Sequence, residues 1–497
     1  MRLPMNTSLA TLKPSGIRRI NALAAQHPGC IALALGEPDF PTPDVVSAEV
    51  TASLDRGDTH YPPNNGRPAL REALSEYMGD AGLAFSADEV ILTDGATEAL
   101  SATFMAMLNP GDEVIIPTPA FGLYESIVVA NHAKAVFLDT EPAQFQIDED
   151  ALRACVTPAT KAIVICSPNN PTGCILDTAS LDAVARVAEQ AGIYVVCDDV
   201  YNRLVYVDGY ERFAQRHPEL RDQTVVIESF SKPWAMTGWR LGWLAAAAPV
   251  IAEIAKAHQY LVSSAVSFEM DAAAQALTVD PTPMLKVYRA RRERVLAALY
   301  AMGLDVVEPA GAFYTFPSIK KFGLTSEAFC IKAIKEANVA LVPGNCFGTE
   351  GHIRLSYCVS DKDLDEGLHR LSTFIFNLFS PQGCNTSAHR PKHYEWGTSL
   401  NGHEDSQQSY RSSGPRGRIE IFVDSARAEE HLMCSSCEPG LDRAKISTRP
   451  SDRSVCRVCV RILAPVDRRR GPRHNTFGSR TNPLPETAGA NGHRPRA

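Results

Sequence analysis

Short runs of β-branched and other apolar residues alternate with helix-length amphipathic segments from about residue 45 to residue 280. The runs are too short for buried helices, and apolar residues fill them completely. A strand with both faces covered has this continuous apolar pattern, and helix-length connections bring successive strands parallel. The sequence therefore predicts an α/β fold with a mostly parallel sheet between two helical layers. Its clearest strands are expected at residues 90–92, 114–116, 162–165, 194–196 and 225–227.

The alternation ends near residue 280, and a different pattern follows. Residues 285–301 are rich in Arg, Leu and Ala and suit a long amphipathic helix. Strand-like and helical pieces then mix up to about residue 379, which suits a smaller α+β domain. We therefore expect four segments. Residues 1–45 form an N-terminal segment that packs with the small domain, and residues 46–280 form the large domain. Residues 281–380 form the small domain, and residues 381–497 form a tail.

The tail differs from the rest of the chain in charge. Residues 385–497 contain 17 Arg, 2 Lys and 12 Asp+Glu, a net charge of +7, whereas residues 1–384 carry −15. Few apolar runs accompany these arginines, and such a composition buries too little surface to order a chain. We therefore predict a disordered tail.

Four cysteines in the tail leave a second possibility open. They form two Cys-x-x-Cys pairs, and this spacing suits a four-thiolate zinc site. The surrounding sequence has few apolar residues and resembles sequence not selected for folding. A zinc site and an unstructured extension both remain possible, and no metal is expected at the catalytic centre. The residues are Cys434, Cys437, Cys456 and Cys459.

Composition also restricts the partners. No uninterrupted apolar run reaches the length of a membrane span, and the N-terminus lacks the order of a signal peptide. The acidic body, residues 1–384, gives no support to a nucleic-acid partner. We therefore expect a cytoplasmic protein that binds neither membranes nor nucleic acid.

The segment around Lys232 has the chemistry of a cofactor site. Ser229 and Ser231 precede the lysine closely, and Arg240 follows eight residues later. An amine forms a Schiff base with an aldehyde, and hydroxyl groups and a guanidinium bind phosphate oxygens. A solvated Ser-Lys pair is the plain alternative.

Two turns that follow predicted strands could also contact a ligand. The run Asp94-Gly95-Ala96-Thr97 opens a helical pattern, where backbone N–H groups can bind an anion or merely begin a helix. In residues 167–173, two prolines and a glycine fix the turn around Asn170. Such a turn can hold one hydrogen bond rigidly, or it can be an ordinary loop.

Three further side chains need partners. Asp198 ends an apolar run, and in an extended chain it faces the opposite side from Asp199. It could pair with a protonated pyridine nitrogen or cap a helix. Arg354 lies in an apolar run and could bind a ligand carboxylate or a structural acid. Phe121 could stack on a planar ring or pack in the core.

In this order and spacing, the motifs resemble those of the class I aminotransferases, the fold type I pyridoxal-phosphate enzymes of the aspartate aminotransferase family. The resemblance covers about residues 10–380. It implies a three-layer αβα large domain, a smaller α+β domain, and pyridoxal 5'-phosphate as the cofactor. It also implies a homodimer with shared active sites.

The resemblance further implies a role for each candidate residue. Lys232 is expected to form the Schiff base and Asp198 to pair with the pyridinium nitrogen. The residues expected at the phenolic oxygen of the cofactor are Tyr201 and Asn170. The phosphate is expected to contact Ala96, Thr97, Ser229, Arg240 and, from the neighbouring subunit, Tyr61. Phe121 takes the ring-stacking position, and the substrate α-carboxylate is expected at Arg354, Gly36 and Asn170.

The implied reaction moves an amino group between an L-amino acid and a 2-oxo acid by a ping-pong mechanism. Residues 14–18, 25–27 and 258–260 are similar to a bacterial branch that acts on aspartate, aromatic amino acids or N-acetyl-diaminopimelate. The donor stays open within that set. A C–S β-lyase shares the early chemistry and is the alternative. A sensor domain of a transcription regulator is remote, because no winged-helix segment precedes the match.

Overall fold

The structure is a computed structural model, and it describes residues 5–12, 14–379, 407–414, 417–424 and 458–462. The chain divides into two compact units, Met1–Gln382 and Gly383–Ala497. The division lies close to the change in composition near residue 381. The finer boundaries within the first unit, at residues 45 and 280, stay a prediction.

The first unit alternates helices and strands over most of its length. Its α-helices are α1 (Gly16–Ala25), α2 (Asp44–Asp55), α3 (Pro68–Asp80), α4 (Gly95–Met107), α5 (Leu123–Ala130), α6 (Glu149–Cys155), α7 (Thr178–Ala191), α8 (Phe213–Arg216), α9 (Ala248–Leu261), α10 (Met270–Leu277), α11 (Thr282–Ala301), α12 (Ser326–Ala337) and α13 (Asp361–Phe379). Its strands are β1 (Ile31–Ala32), β2 (Val90–Thr93), β3 (Glu113–Thr118), β4 (Lys134–Asp139), β5 (Thr160–Cys166), β6 (Tyr194–Asp198), β7 (Thr224–Ser229), β8 (Gly242–Ala246), β9 (Tyr314–Thr315), β10 (Val339–Ala340), β11 (Val342–Pro343) and β12 (Ile353–Ser356). Among the described residues, no helix is both long and apolar enough to cross a membrane.

Seven strands form the central sheet, in the order β2-β8-β7-β6-β5-β3-β4. Strand β8 runs antiparallel to its neighbours β2 and β7, and the other pairs are parallel. The prediction of an α/β fold with a mostly parallel sheet is confirmed. All five predicted runs are strands of this sheet.

Residues on both faces of the sheet are buried, which explains the continuous apolar runs. Every residue of β7 is buried. Val225 and Ile227 pack into one hydrophobic cluster, and Val226 packs into another on the opposite face. Helices must cover both faces to keep these side chains from water, and the sheet edge at the strand ends is left for other groups.

A second, smaller set of strands lies later in the first unit. Strands β11, β12 and β9 form an antiparallel sheet, with Arg354 on the central strand β12. The N-terminal strand β1 pairs in parallel with β10. This pairing brings residues 31 and 32 to the part of the chain that follows α12. Helix α11 corresponds to the amphipathic helix predicted at residues 285–301.

The second unit contains three antiparallel strands, β13 (Gln407–Gly414), β14 (Gly417–Asp424) and β15 (Val458–Ile462). The apolar residues 419, 421 and 423 of β14 are typical of a strand. The expected disorder of the tail stays a prediction. Three zinc-motif cysteines, Cys434, Cys437 and Cys456, lie outside the described residues, and only the backbone of Cys459 is described.

Candidate active site

The register of the parallel strands brings several candidate residues to one edge of the sheet. Asp198, the last residue of β6, pairs with Cys166 on β5 and with Ile227 on β7. Carboxyl ends of adjacent parallel strands share an edge, where open α/β sheets bind ligands. The turn with Asn170 leaves β5 there, and the turn with Lys232 leaves β7 there.

Gly242, two residues after Arg240, allows close packing at the neighbouring corner of the sheet. Gly242 begins β8 and pairs with both Thr93 and Ser229. A Cβ atom on Gly242 would lie 3.1 Å from the backbone nitrogen of Ala96. The absent side chain therefore lets the start of α4 approach the sheet closely.

Gly95 likewise lets the side chain of Arg240 approach the backbone closely. Its φ of +71° suits glycine, and a Cβ atom there would lie 2.7 Å from Nη2 of Arg240. Arg240 is exposed and donates to the carbonyl of Thr237 at 3.1 Å. It forms no direct ion pair among the described residues, although the carboxyl groups of Asp94 and Glu269 lie close enough to interact with its charge. The guanidinium and the N-terminal amides of α4, which include those of Ala96 and Thr97, together suit an anion.

The buried hydroxyl of Ser229 anchors the turn that leads to Lys232. Its Oγ lies 2.8 Å from Oγ of Ser231 and 3.2 Å from the carbonyl oxygen of Leu241. It also accepts a hydrogen bond from the backbone N–H of Ser231 at 3.0 Å. These contacts fix the backbone between β7 and the lysine.

Asp198 has one satisfied and one unsatisfied oxygen. Oδ2 accepts from the hydroxyl of Tyr124 at 2.5 Å, whereas Oδ1 is buried without a hydrogen-bond partner among the described residues. Burial raises the pKa of Asp198 to about 6 because it disfavours the charged form. The next residue, Asp199, pairs elsewhere, with Nε of Arg212 at 2.9 Å. The free oxygen of Asp198 fits a cationic N–H donor.

Lys232 lies across the same edge. Its Nζ donates to the carbonyl oxygen of Gly36 at 2.7 Å. Burial of the ammonium lowers the pKa of Lys232 to about 8, since the apolar surroundings disfavour the charged form. A lysine in this state supplies a substantial fraction of neutral amine near neutral pH.

Arg354 has two of its nitrogens satisfied by neutral oxygens. Nη1 donates to Oδ1 of Asn170 at 2.8 Å, and Nη2 donates to the carbonyl of Ala34 at 2.7 Å. Nε is buried without a partner, and no carboxylate pairs with this arginine among the described residues. The structure therefore lacks the structural ion pair that was the alternative for Arg354. An uncompensated buried guanidinium suits a carboxylate ligand.

The remaining candidates occupy different environments. The hydroxyl of Tyr201 lies 3.0 Å from that of Tyr314. Phe121 is half-buried and packs edge-to-face on Tyr124, with 6.3 Å between ring centroids. Tyr61 is 90% exposed and makes no hydrogen bond with a described residue of its own chain.

Sequence reasoning missed two tyrosines that contact the candidate residues, Tyr124 and Tyr314. Both are buried. A buried tyrosine normally has a partner for its hydroxyl, so each could have been identified as a residue that needs a polar neighbour. The sequence alone does not identify the partner, because Tyr124 is 74 residues away from Asp198 along the chain.

These groups fit a phosphorylated aldehyde whose ring carries a basic nitrogen. The unpartnered oxygen of Asp198 suits the protonated nitrogen, and the glycines at positions 95 and 242 let the guanidinium of Arg240 and the first amides of α4 pack closely at one corner, where they suit a phosphate. Lys232 supplies the amine. The fold and the site thus define an α/β enzyme of the pyridoxal-phosphate class.

Comparison with known proteins narrows the class. Residues 28–371 match the family model described as "Aminotransferase class I and II". The "Probable N-acetyl-LL-diaminopimelate aminotransferase" of Bacillus subtilis is 41% identical over 378 residues, covering 75% of this chain and 95% of that protein. The "Aspartate aminotransferase" of Pyrococcus abyssi is 38% identical over 384 residues, covering 75% and 98%. The solved aspartate aminotransferase of Thermus thermophilus with maleate is 33% identical, with a TM-score of 0.71 and coverage of 75% and 100%.

The chain belongs to the class I and II aminotransferase family. It is a transaminase that uses pyridoxal 5'-phosphate, and its relatives place it with the aspartate aminotransferases. The resemblance inferred from the sequence is confirmed. No finding favours the C–S β-lyase alternative.

Proposed function

We propose that Lys232 would hold the cofactor through its amine and, once the amine of the substrate L-amino acid has displaced it, would carry the proton of the transamination between that amino acid and a 2-oxo acid. The observation that supports this most is the position of its Nζ, which Gly36 holds at 2.7 Å beside the strand ends that carry Asp198. Bound pyridoxal phosphate supplies an aldehyde carbon and an electron-withdrawing ring. Lys232 removes the Cα proton of the amino acid and delivers it to the cofactor carbon.

Asp198 keeps the pyridine nitrogen protonated in this proposal. Its pKa of about 6 applies to the site without a bound pyridinium. A cationic N–H next to Oδ1 favours the charged carboxylate, so an ion pair forms. The hydrogen bond from Tyr124 then fixes the orientation of the carboxylate. Tyr201 and Asn170 are proposed to donate to the phenolic oxygen, and Phe121 to stack on the ring.

The phosphate is proposed to lie at the corner of the sheet formed by the start of α4 and the beginning of β8. Backbone amides of Ala96 and Thr97, the hydroxyl of Ser229 and the guanidinium of Arg240 are the proposed contacts. The absence of a Cβ atom at Gly95 and Gly242 supports this assignment, because a side chain at Gly95 would push Arg240 away and one at Gly242 would push the start of α4 away.

Arg354 is proposed to bind the substrate α-carboxylate through its planar fork. Asn170 already positions this guanidinium at 2.8 Å and is proposed to share the carboxylate, together with Gly36. L-amino acids and 2-oxo acids all have this carboxylate, so the contact contributes to both half-reactions.

A homodimer with shared active sites completes the proposal, with Tyr61 contributing to the phosphate of its neighbour. Tyr61 is 90% exposed and Tyr260 is 81% exposed, which leaves two aromatic side chains available for a partner. His258 holds the Tyr61 loop through the carbonyl of Asn64 at 2.9 Å. Sedimentation of the holoenzyme tests this: a dimer supports the proposal, and a monomer with full activity contradicts it. A cytoplasmic location is also part of the proposal.

The amino donor is proposed to belong to one of the three types in the names of the relatives: N-acetyl-LL-diaminopimelate, aspartate or an aromatic amino acid. A panel of these donors, each with 2-oxoglutarate and compared by kcat/KM, separates them. The proposal fails if none of the three types is used.

A single half-reaction tests the chemistry itself. The holoenzyme is mixed with donor and no oxo acid, and the cofactor absorbance and products are followed. Transamination converts one cofactor per active site to its amine form and releases one 2-oxo acid. Continuous release of pyruvate and ammonia from a β-substituted donor would instead indicate elimination.

A further inference from the structure

Tyr314 lies between three parts of the candidate site. Its side chain is 1% exposed, and its hydroxyl is 3.0 Å from the hydroxyl of Tyr201. The guanidinium carbon of Arg354 lies 4.5 Å from the centre of its ring. Tyr314 on β9 pairs with Ser356 on β12, so it is diagonal to Arg354 on one face of the sheet.

The third contact of Tyr314 is with Gly36. A Cβ atom on Gly36 would lie 2.4 Å from the hydroxyl oxygen of Tyr314, whereas the next nearest ring atoms would be at 3.4 and 3.6 Å. Only the hydroxyl therefore requires glycine at this position. The carbonyl of Gly36 is the acceptor for Nζ of Lys232. One side chain thus contacts the residues proposed to bind the phenolic oxygen, the α-carboxylate and the lysine.

We propose that Tyr314 is a positioning residue for this transaminase: its hydroxyl orients Tyr201, and its ring supports Arg354. The inference rests on the proposed roles of Tyr201 and Arg354. Each hydroxyl has a single proton to donate. If Tyr201 donates to the phenolic oxygen of the cofactor, Tyr314 must be the donor between the two tyrosines. The ring contact is a separate interaction, since a guanidinium stacks on an aromatic face without hydrogen bonds.

The two contacts can be removed one at a time. Tyr314→Phe removes the hydroxyl and keeps the ring, whereas Tyr314→Leu removes both. A hydrogen bond donated to the phenolic oxygen favours the deprotonated form of the bound cofactor, so a poorly oriented Tyr201 raises the pH midpoint of its visible absorbance. We expect Tyr314→Phe to raise this midpoint by about half a pH unit and to change KM for the amino donor by less than about twofold. Tyr314→Leu should raise the midpoint and also raise KM about tenfold or more.

A buried tyrosine elsewhere provides the matched control. Tyr357 is fully buried, and its hydroxyl lies near the hydroxyl of Tyr206 and the carbonyl of Ala312, at 3.5 and 3.3 Å. Tyr357→Phe removes a hydroxyl of the same kind without touching Tyr201 or Arg354. The midpoint should stay unchanged in this variant. An equal shift in Tyr357→Phe would indicate a general structural effect and overturn the positioning role.

Tyr201→Phe separates the failure of this inference from the failure of the proposed function. If Tyr201→Phe leaves the midpoint unchanged, the proposed role of Tyr201 is wrong. The proposal that the Tyr314 hydroxyl orients Tyr201 for that role is then wrong as well. If Tyr201→Phe raises the midpoint but Tyr314→Phe does not, only the inference about Tyr314 is overturned. The double variant should match Tyr201→Phe alone, because the Tyr314 hydroxyl acts through Tyr201.

Gly36→Ala gives a second, independent test of the close packing. The φ of Gly36 lies outside the positive range, so the expected clash comes from the Tyr314 hydroxyl and not from the backbone. We expect Gly36→Ala to lower the Tm of the holoenzyme and to raise the Kd for the cofactor. Adding Tyr314→Phe should restore part of both losses, because it removes the atom that clashes. Losses that are undiminished in the double variant would contradict the proposed arrangement.

Discussion

At the scale of single residues, the site is marked by buried polar atoms that lack partners. Oδ1 of Asp198 and Nε of Arg354 are both in this state among the described residues. An unpaired buried polar group costs roughly 1–3 kcal/mol, more when it is charged. Such atoms also occur at other positions, such as Nε1 of Trp243, but Asp198 and Arg354 both lie at the proposed site and have opposite charges when ionised. They therefore suit a cation and an anion, the pyridinium nitrogen and the α-carboxylate of the proposal.

We predict that Arg354→Lys raises KM about tenfold or more for every amino acid and oxo acid alike. The lysine ammonium is a point charge and cannot reproduce the bidentate fork. Steady-state kinetics on monocarboxylic and dicarboxylic substrates checks this. Arg370→Lys is the matched control, since Arg370 pairs with Glu366 on α13. An effect confined to dicarboxylic substrates would place Arg354 in the side-chain pocket instead.

The lowered pKa of Lys232 predicts how cofactor attachment depends on pH. Burial disfavours the ammonium, so the pKa falls from its ordinary value to about 8. Only the neutral amine attacks an aldehyde. The rate at which apoenzyme binds pyridoxal phosphate covalently should therefore rise as pH increases through about 8 and level off above it. Stopped-flow absorbance between pH 6 and about 10 measures this rate; a midpoint near the ordinary lysine value would contradict the assignment.

At the scale of elements, a buried ion network joins the ends of β6 and β7. Arg212 contacts Asp199, just after β6, and Glu228 on β7, and all three side chains are buried. Asp198 and Ser229 lie next to these acids in the sequence. The network therefore stabilises the strand ends that carry the proposed cofactor contacts.

We predict that Arg212→Leu lowers the free energy of unfolding of the apoenzyme by about 3–5 kcal/mol, because two buried carboxylates lose their partner. Arg216→Leu is the control. Arg216 also bridges two acids, Asp182 and Glu211, but it is more exposed, so solvent screens its ion pairs and we expect a much smaller loss. Urea unfolding followed by circular dichroism compares the two. Equal losses would show that burial does not decide the strength of these bridges.

Sequence patterns predicted five of the seven strands in the central sheet and missed β4 and β8. Strand β4 is at the edge of the sheet, and its exposed residues Lys134 and Phe137 interrupt the apolar run. Strand β8 begins at Gly242, two residues after Arg240, for which the sequence predicts only a phosphate contact. Pairing decides whether such segments become strands, and pairing partners are distant in sequence. The partner of Tyr314 could not be predicted for the same reason.

At the scale of the whole molecule, the family match lies within the first unit. The relatives from Bacillus subtilis and Pyrococcus abyssi are covered over 95% and 98% of their lengths by 75% of this chain. Every proposed site residue precedes residue 360. The second unit contributes none of them, so the proposed chemistry does not require it.

We predict that a protein truncated after residue 380 remains folded, dimeric and active. Its kcat/KM should agree with that of the full chain within about twofold, since no proposed site residue is removed. Limited proteolysis of the full chain should also release the tail first. Loss of the dimer after truncation would contradict this prediction. One tightly bound zinc per chain in the purified full-length protein would also contradict it, because either result would show that the tail is a folded, functional part of the protein.

The assignment of Lys232 is the central claim, and the position of the covalent bond to the cofactor tests it most directly. The holoenzyme is reduced with borohydride, digested, and analysed by mass spectrometry for the lysine that carries the cofactor. We predict a single modified residue, Lys232, and neither adduct nor turnover in Lys232→Ala, while Lys256→Ala behaves like the natural protein. An adduct on another lysine, or a single-site adduct that persists in Lys232→Ala, would contradict the account.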